Sequence, residues 1–463
     1  MGTLSSSLSI ATQAMLAEQD AISVTANNIA NVNTPGYTRE TTEMVEAPPI
    51  EYGGYVFGGG VQAGQITSQR NNVLQLRLDD ETQQQGQYNS FLSSMQQVQT
   101  LFNETSGSGL QSSLSGFFNS LQQLSTNPSD LTLRQAVLTA AQNLAQSFNS
   151  TSANLTQLQN NIDLSVRQDV NQVNGLTSQI ATLNQQIASA ENLGQAPNTL
   201  VDQREQLVNQ LAGLIGVSEI AASDGSITLT TTNGVSLVVG NQSYQLSTHP
   251  NGTNGFQDVY AGSADITSSI TGGSLAGEIQ ARDQGIPSVL SSLDALAASL
   301  STSMNSVNKA GTDLNGNPGG NFFTPPPAGG VGAASAMSVA ISDPSQIAAS
   351  LDGTAGDNSN VNAMIALQNQ GIVNGQTPMN AYSSLIFQIG NTVSTAQTEL
   401  QASQAISQQL QDQIGSVSGV SINEEAANLV QYERAYQAAA QVAGIVSSLT
   451  ATAINLGQTT TVS

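Results

Sequence analysis

A seven-residue repeat of apolar side chains, running from Leu155 to Ala190, constrains this chain more than any other feature of its sequence. One position of the repeat holds Leu155, Ile162, Leu176, Leu183 and Ala190. The other holds Val166, Val173, Ile180 and Ile187. Such a repeat is typical of a helix in a coiled coil or bundle, and at 1.5 Å per residue this helix would be ~54 Å long. A helix of that length does not suit a compact globule, so the sequence predicts a rod-like helical bundle.

Both ends of the chain carry a further amphipathic helical segment with one apolar stripe. In the N-terminal segment we predict that the stripe forms a subunit interface through Leu4, Leu8, Met15, Ile22 and Ile29. In the C-terminal segment, "INEEAANLVQYERAYQAAAQVAGIVSSLTATAINL", the predicted interface residues are Leu429, Tyr432, Tyr436, Val446 and Ala453. Because a lone pair of helices is only marginally stable, we expect the two segments to pack on each other and on neighbouring subunits.

The last helix is predicted to begin with a capping box formed by Ser421 and Glu424, to which Glu425 adds a charge that favours the first helical turn.

The stretch "NNIANVNTPGYTRE" predicts a sharp bend where the first helix ends. A residue that precedes proline is disfavoured in the helical region, and glycine can adopt the positive φ that the third position of a type II turn needs. We therefore predict an elbow between the terminal helix and the bundle, in which the tyrosine ring and hydroxyl fix the exit direction of the chain. Its residues are Asn33, Pro35, Gly36 and Tyr37.

The middle of the chain is predicted to be nested between these ends. Residues 41–64 have an irregular pattern, whereas helical patterns return from about Asn72 and again over 286–307 and 380–414. The period changes to two after residue 216, with Asn233-Gly234 as a hairpin turn, and residues 335–375 receive no assignment.

The predicted fold class is mainly α with a small inserted β domain. Three domains are expected: a terminal-helix coiled coil at 1–35 and 420–463, a long-helix bundle at 36–216 and 281–419, and an inserted outer β domain at 217–280.

Charge and composition argue against several classes of partner. The net charge is −23, so the chain gains nothing from releasing phosphate counterions, and neither nucleic acid nor an anionic membrane is an expected partner. We see no basic, apolar leader of the secretory kind and no run of 18 uninterrupted apolar residues. Charged residues are 9% of the chain, against about 25% in ordinary domains, so the surface is largely neutral and polar and suits close packing between subunits.

Cysteine and histidine, two residue types common in catalytic sites, are nearly absent from the chain. The chain has no cysteine and one histidine, His249, which we expect in a loop and not in a catalytic site. The stretch "DLNGNPGG" begins like a calcium loop at Asp313, but Pro318 and Thr324 stand where an EF-hand needs glycine and glutamate. We therefore predict no enzyme activity, no metal and no cofactor.

Several stretches resemble the axial proteins of the bacterial flagellum, the family of rod, hook and hook-associated subunits. They are "LAEQDAISVTANNIANVNTPGYTRE", the C-terminal segment quoted above, "LVDQREQLVNQLAGLIGVSEIAASDGSITLTTTNGVSLVVG" and "TGGSLAGEIQARDQGIPSVLSSLDALAASLSTSMNSVNKAGTDLNGNPGGNFF". As a set they are similar to the hook-associated subunits that form the first junction between hook and filament.

The resemblance implies a structural role and several partners. The terminal helices would form an inner layer around a central channel, with the bundle around it and the β domain outermost. The expected partners are other copies in a ring, the hook protein, a second junction protein with the filament beyond it, and an export chaperone on the C-terminal region. Export would use the flagellar route without a cleaved signal, and the protein would reside in the extracellular flagellum.

Two alternatives stay open at this point. One is another axial protein, such as a hook or distal rod subunit. The other is an exported adhesin that uses the same route.

Overall fold

The computed structural model describes residues 2–52, 54–103 and 109–458. The first residue and the tail 459–463 of the predicted terminal domain therefore lie outside the described residues. Eleven α-helices and eleven β-strands are assigned within these ranges.

The apolar repeat belongs to a helix that is much longer than its sequence pattern. Helix α4 spans Leu131–Asn192, 62 residues or ~93 Å, and it begins earlier because the Asp130 side chain accepts hydrogen bonds from the amides of Thr132 and Leu133. The predicted repeat is its core face: Leu155, Val166, Val173, Ile180 and Ile187 are each 0% exposed. A long rod is therefore confirmed, although the sequence pattern captured little more than half of it.

Further helices pack around α4 as a bundle. They are α2 (Asn72–Leu101), α3 (Leu110–Thr126), α5 (Asn198–Leu214), α6 (Gly273–Gln280), α7 (Ile286–Ala310), α8 (Ala333–Ala336), α9 (Ser359–Ala366) and α10 (Pro378–Ser418). The bundle core includes a cluster of buried rings, in which Phe117 lies 5.8 Å from Phe322 and 5.7 Å from Phe323 between ring centroids. The region 335–375, unassigned from sequence, contains α9 and two short 3₁₀ turns, Pro344–Gln346 and Leu367–Asn369.

Small strands occupy the predicted β insertion. Strands β5 (Val217–Ala221), β6 (Ile227–Thr231), β7 (Ser236–Val239) and β8 (Gln242–Ser243) form one antiparallel sheet. Strands β9 (Leu246–Pro250), β10 (Gln257–Ala261) and β11 (Ala264–Asp265) form another. The Asn233-Gly234 turn joins β6 to β7, and Gly234 has φ +85°.

The strands share their apolar core with the helices. Leu229, Val238 and Val259 belong to the same cluster of buried residues as Val173 of α4 and Leu275 of α6. The buried Arg282, in a π-helical turn between α6 and α7, adds a polar link. Its Nη1 donates to the Asp163 carboxylate on α4 at 2.7 Å and to the carbonyl of Gln257 on β10 at 2.8 Å.

The prediction that residues 41–64 are irregular is wrong. Strand β1 (Glu40–Glu46) pairs antiparallel with β4 (Val61–Ser68), and between them β2 (Ile50–Tyr52) pairs with β3 (Tyr55–Phe57). Pro48-Pro49 and Gly58-Gly59-Gly60 break the alternating pattern that would have indicated strands. The result is a long, narrow hairpin whose base packs on the first helix, α1 (Gly2–Ala30).

Candidate assembly site

The two terminal helices pack on each other along one side. Helix α11 (Ile422–Gln458) has α1 as its principal partner in the chain. The buried stripe of α1 is lined by small residues, Ala11, Ala17 and Ala21, together with Val24. Small side chains on a helix let a neighbouring backbone approach closely, and the principal elements that pack on α1 are α11 and the hairpin strands β1 and β4.

The predicted interface residues of α1 lie beside this stripe. Leu4, Met15, Ile22 and Ile29 are half-buried, and Leu8 is 37% exposed. On α11, Leu429, Tyr432, Tyr436 and Ala453 are half-buried and Val446 is buried. Because α1 is the main cover of α11, the predicted α11 residues lie on the side that faces α1. Their role between subunits stays a prediction.

An apolar face of α11 points away from α1 and was not singled out from the sequence. Val442, Ile445 and Leu449 are 49%, 59% and 50% exposed, and their spacing of three and four residues places them on one face. By length and composition alone, one helical stretch within Pro378–Asn455 could cross a membrane, and 6% of it is buried in the chain. An exposed apolar helix face needs cover, and neighbouring subunits can supply that cover as well as lipid.

The elbow has the predicted turn. The Tyr37 amide donates to the carbonyl of Thr34 at 3.2 Å, which closes a four-residue turn with Pro35 and Gly36 in the middle, and Gly36 has φ +76°. Helix α1 ends at Ala30, shortly before this turn, so the predicted bend lies where the first helix ends. Asn33 lies exposed in the preceding turn, which the Thr34 amide closes on the Asn31 carbonyl.

Asn28 is the centre of the polar contacts around the elbow. This side chain is 1% exposed, and its Nδ2 donates to the Glu40 carbonyl at 2.8 Å and to Glu425 Oε2 at 3.1 Å. Its Oδ1 accepts from the Tyr37 hydroxyl at 2.8 Å and from the Glu40 amide at 3.0 Å. One buried amide therefore joins α1, the turn, β1 and α11.

The Tyr37 hydroxyl is a fixed donor in this network. Burial, followed by the nearby carboxylates of Glu40, Asp202 and Glu425, raises the pKa of Tyr37 well above its usual range. The hydroxyl therefore stays protonated. It also accepts from Asn27 Nδ2 at 3.3 Å.

Glu424 and Glu425 bind the elbow, a use that the sequence did not indicate. The Glu424 carboxylate forms an ion pair with Arg39 Nη1 at 3.0 Å, and the Glu425 carboxylate accepts a hydrogen bond from Asn28 Nδ2. The Arg39 amide also donates to the carbonyl of Ser418, the last residue of α10, at 2.9 Å. The start of α11 is thereby fixed to the segment that follows α1.

A second set of contacts ties the elbow to the bundle. The Thr38 amide and hydroxyl donate to the Asp202 carboxylate of α5 at 3.1 and 2.9 Å, and Arg70 forms an ion pair with the same carboxylate. Burial raises the pKa of Asp202, and the bonds from Thr38 and the Arg70 guanidinium oppose that rise. Gln206 Nε2 donates to the Pro35 carbonyl at 2.7 Å.

Gly36 allows the approach of Gln206. A Cβ at residue 36 would clash with the Gln206 side chain, which would have to move away. The elbow, α2, α5 and the end of α10 together line a cleft of about 630 Å³.

Sequence reasoning found Pro35, Gly36 and Tyr37 but not their partners. By residue type, Asn27 and Asn28 indicate only that a helix can end there, and Asp202 and Glu425 carry no local signal of a distant partner. The partners that the structure adds are Asn28, Arg39, Glu40, Arg70, Asp202, Gln206, Glu424 and Glu425.

The side chains considered for catalysis lie elsewhere. The expectation that His249 lies in a loop is wrong: it lies exposed on β9, opposite Asp258 of β10, with its Nε2 3.2 Å from the Ser247 hydroxyl. Asp313 Oδ1 accepts from the amides of Asn315 and Asn317 at 2.8 and 2.7 Å, so this carboxylate stabilises its own turn. Among the described residues, no group of three or more His, Asp or Glu side chains could hold a metal ion.

Comparison with known proteins gives three family matches. Residues 95–323 match the model described as flagellar hook-associated protein FlgK helical domain. Residues 8–38 match flagella basal body rod protein, and residues 415–456 match flagellar basal body rod FlgEFG protein C-terminal. These matches cover much of the bundle and both terminal helices.

Curated relatives match over nearly their full length. The chain is 31% identical to flagellar hook-associated protein 1 of Bacillus subtilis, over 97% of both chains. It is 28% identical to the protein of that name from Escherichia coli, over 98% of this chain and 100% of the relative. The fold resembles the flagellar hook junction protein FlgK from Burkholderia pseudomallei, with a TM-score of 0.66 and 21% identity over 74% of this chain and all of the other.

Proposed function

Because this chain belongs to the family of flagellar hook-associated protein 1, we propose that its terminal helix pair is the surface on which copies assemble at the junction between hook and filament. The protein is a structural subunit of the bacterial flagellum, at the hook–filament junction, and functions in the extracellular flagellum together with other flagellar proteins.

One observation supports the assembly role of the terminal pair: α1 and α11 cover each other on one side and leave large apolar side chains exposed on the other. Leu16 on α1 is 56% exposed, and Ile445 on α11 is 59% exposed. Exposed apolar rows of this kind mark surfaces that other protein covers. In this proposal Leu8, Ile22, Val446 and the other predicted stripe residues form the inner layer of a ring of subunits.

The elbow sets the angle between this inner layer and the bundle. Asn28 and Arg39 bind Glu425 and Glu424 at the start of α11. On the bundle side, Thr38 binds Asp202 and the Pro35 carbonyl binds Gln206, both on α5. The division into an inner helix pair, a long-helix bundle and an outer β region is part of this proposal.

We further propose the specific partners that the family suggests. Copies of the chain form the ring, the hook protein lies on one side, and a second junction protein with the filament lies on the other. An export chaperone holds the C-terminal helix before export without a cleaved signal, since that helix exposes apolar side chains that need cover in the free chain. The protein catalyses no reaction.

The match over residues 95–323 favours a hook-associated subunit over a hook or rod subunit. The terminal matches at 8–38 and 415–456 are to rod proteins, so the ends alone do not separate these classes. The match to the FlgK helical domain does separate them, because it is specific to the hook-associated protein.

A deletion strain tests the proposal. We expect hooks without filaments, and filament protein in the growth medium, with both defects reversed by a plasmid copy of the gene. Normal filaments on the deletion strain would refute the junction role.

A further inference from the structure

The tip of the long hairpin exposes three consecutive large side chains. Tyr55, Val56 and Phe57 are 73%, 65% and 44% exposed, whereas the base of the hairpin packs on α1, where Gly60 meets Ile10. A two-stranded hairpin is only marginally stable in water, and exposed apolar side chains at its tip are stabilised when another protein surface covers them. The tip needs a partner.

One face of this tip is both apolar and acidic. Glu51 and Val56 are directly opposite each other across β2 and β3, so their side chains lie on the same face. Residues 40–69 contain no Lys or Arg. A surface that covers this face should therefore combine apolar side chains with a cation that has no acidic partner of its own.

Cations of that kind are rare in this chain. It has nine Lys and Arg residues. Three of them are exposed and take part in no ion pair among the residues that the structure describes: Arg77, Lys309 and Arg434.

The best match among the three is at the start of α2. Arg77 lies one turn after Val73 and next to Leu76, which are 61% and 42% exposed, so the three residues share the outer side of the helix. The opposite side of α2, with Gln75 and Leu78, lines the cleft at the elbow.

Within one copy the two surfaces do not cover each other, because both remain exposed. We propose that the hairpin tip of one subunit docks on the α2 surface of a neighbouring copy, with Val56 against Val73 and Leu76 and with Glu51 paired to Arg77. This inference rests on the proposed assembly of copies into a ring. A small contact suffices there, since neighbours already held by the terminal helices are present at high effective concentration.

Cysteine cross-linking tests the contact directly, since the natural chain has no cysteine. Two differently tagged copies are expressed together in the deletion strain, one with Val56→Cys and the other with Val73→Cys. We expect a disulfide-linked heterodimer in isolated flagella, lost on reduction and absent when either cysteine is present alone. The same pair of purified full-length chains, mixed at high concentration under mild oxidation, should also cross-link.

A matched control addresses the other apolar site beside an exposed arginine. Val430→Cys places the second cysteine next to Arg434 on α11 and should give no heterodimer with Val56→Cys. Cross-linking to Val430→Cys instead, or no cross-link to Val73→Cys both in flagella that contain the two proteins and between the purified chains, would overturn the proposal. Presence of the tagged protein at the junction tests the proposed function separately.

Charge reversal supplies an independent measurement. Glu51→Arg and Arg77→Glu should each lower the number of filaments per cell several-fold, while thermal melting of the purified chain stays unchanged. Combining the two reversals should restore filament number. A double variant no better than the single ones would count against the pairing.

Discussion

Asn28 shows how much of the assembly depends on one side chain. It makes four hydrogen bonds from a position that is 1% exposed, to residues 12 and 397 positions away as well as to Tyr37. A buried polar group that loses its partners costs roughly 1–3 kcal/mol. Replacing this asparagine would leave Glu425 and the Tyr37 hydroxyl without their shared partner. We therefore expect its replacement to destabilise the contact between α1, the elbow and α11.

Gly36→Val should disturb the elbow more than the fold. The residue has φ +76°, where a side chain costs about 1–2 kcal/mol, and a Cβ there meets Gln206. We expect the purified chain to melt nearly as before, with filament number per cell strongly reduced. Gly194→Val is the matched control, because Gly194 has φ +73° and open space around it, at the far tip of α4. Equal filament loss in both variants would mean that strain alone, and not the elbow, is responsible.

Glu278 gives a prediction about pH. Burial, and then the nearby Asp169, raise the pKa of Glu278 to about 8, against the opposing charge of Arg282. A carboxyl whose pKa is raised on folding stabilises the protein at low pH, and that contribution is lost progressively as pH rises from the unfolded value toward 8.

Glu278→Gln should therefore flatten the fall in stability between pH 5 and pH 8. We expect the variant and the natural chain to unfold alike near pH 5, and the variant to be more stable by at least about 1 kcal/mol at pH 9. Denaturant unfolding at both pH values measures the difference. The exposed Glu399→Gln is the control and should change neither value. A variant less stable than the natural chain at pH 9 would contradict the assignment.

At the scale of elements, the terminal helices separate packing within a copy from packing between copies. Helix α11 uses one side for α1 and leaves Val442, Ile445 and Leu449 exposed. The stripe predicted from the heptad pattern lies on the flank of the buried side of α1. A seven-residue repeat identifies an apolar stripe but does not say which of two adjacent stripes meets the partner.

Ile445→Asp should abolish assembly without unfolding the chain. The side chain is 59% exposed, so a carboxylate there stays in water in the free protein, whereas in a dry subunit contact it would cost several kcal/mol. We expect unchanged melting, and no protein at the hook tip by immunolabelling. Ile22→Asp, on the half-buried predicted stripe, should also fail to incorporate.

Leu193→Asp is the control for a charge on an exposed apolar residue outside the pair. Leu193 is 76% exposed at the end of α4, so this variant should incorporate normally. Normal junctions built by Ile445→Asp would remove the exposed face of α11 from the interface.

At the scale of the whole molecule, the β region shares an apolar core with helices of the bundle. Val170, Val173 and Ile180 of α4 are buried in the same core as the strands of the predicted inserted domain, and Arg282 links α4 to β10. Replacing residues 217–272 with a short Gly/Ser linker should therefore lower the melting temperature of the chain. Unchanged melting, measured by circular dichroism at the helix band, would show that the helices do not need this cover.

How much of this could be predicted depends on how local each signal is. The Pro35-Gly36 turn, the Asn233-Gly234 turn and the α4 repeat were predictable because their signals lie within a few residues or one helix. The hairpin at 40–68 was missed because prolines and glycines interrupt its alternation. The pairing of Asn28 with Glu425 was missed because neither residue carries information about a partner so distant in sequence.

The contact between Asn28 and Glu425 also makes the closed elbow depend on both ends of the chain. Asn28 lies near the end of α1 and Glu425 lies at the start of α11, so the elbow network closes across 397 positions. A chain cut anywhere before Ile422 can still fold parts of its bundle, but it presents α1 without a partner. We therefore expect a chain cut before Ile422 to lack the Asn28–Glu425 contact and to assemble poorly.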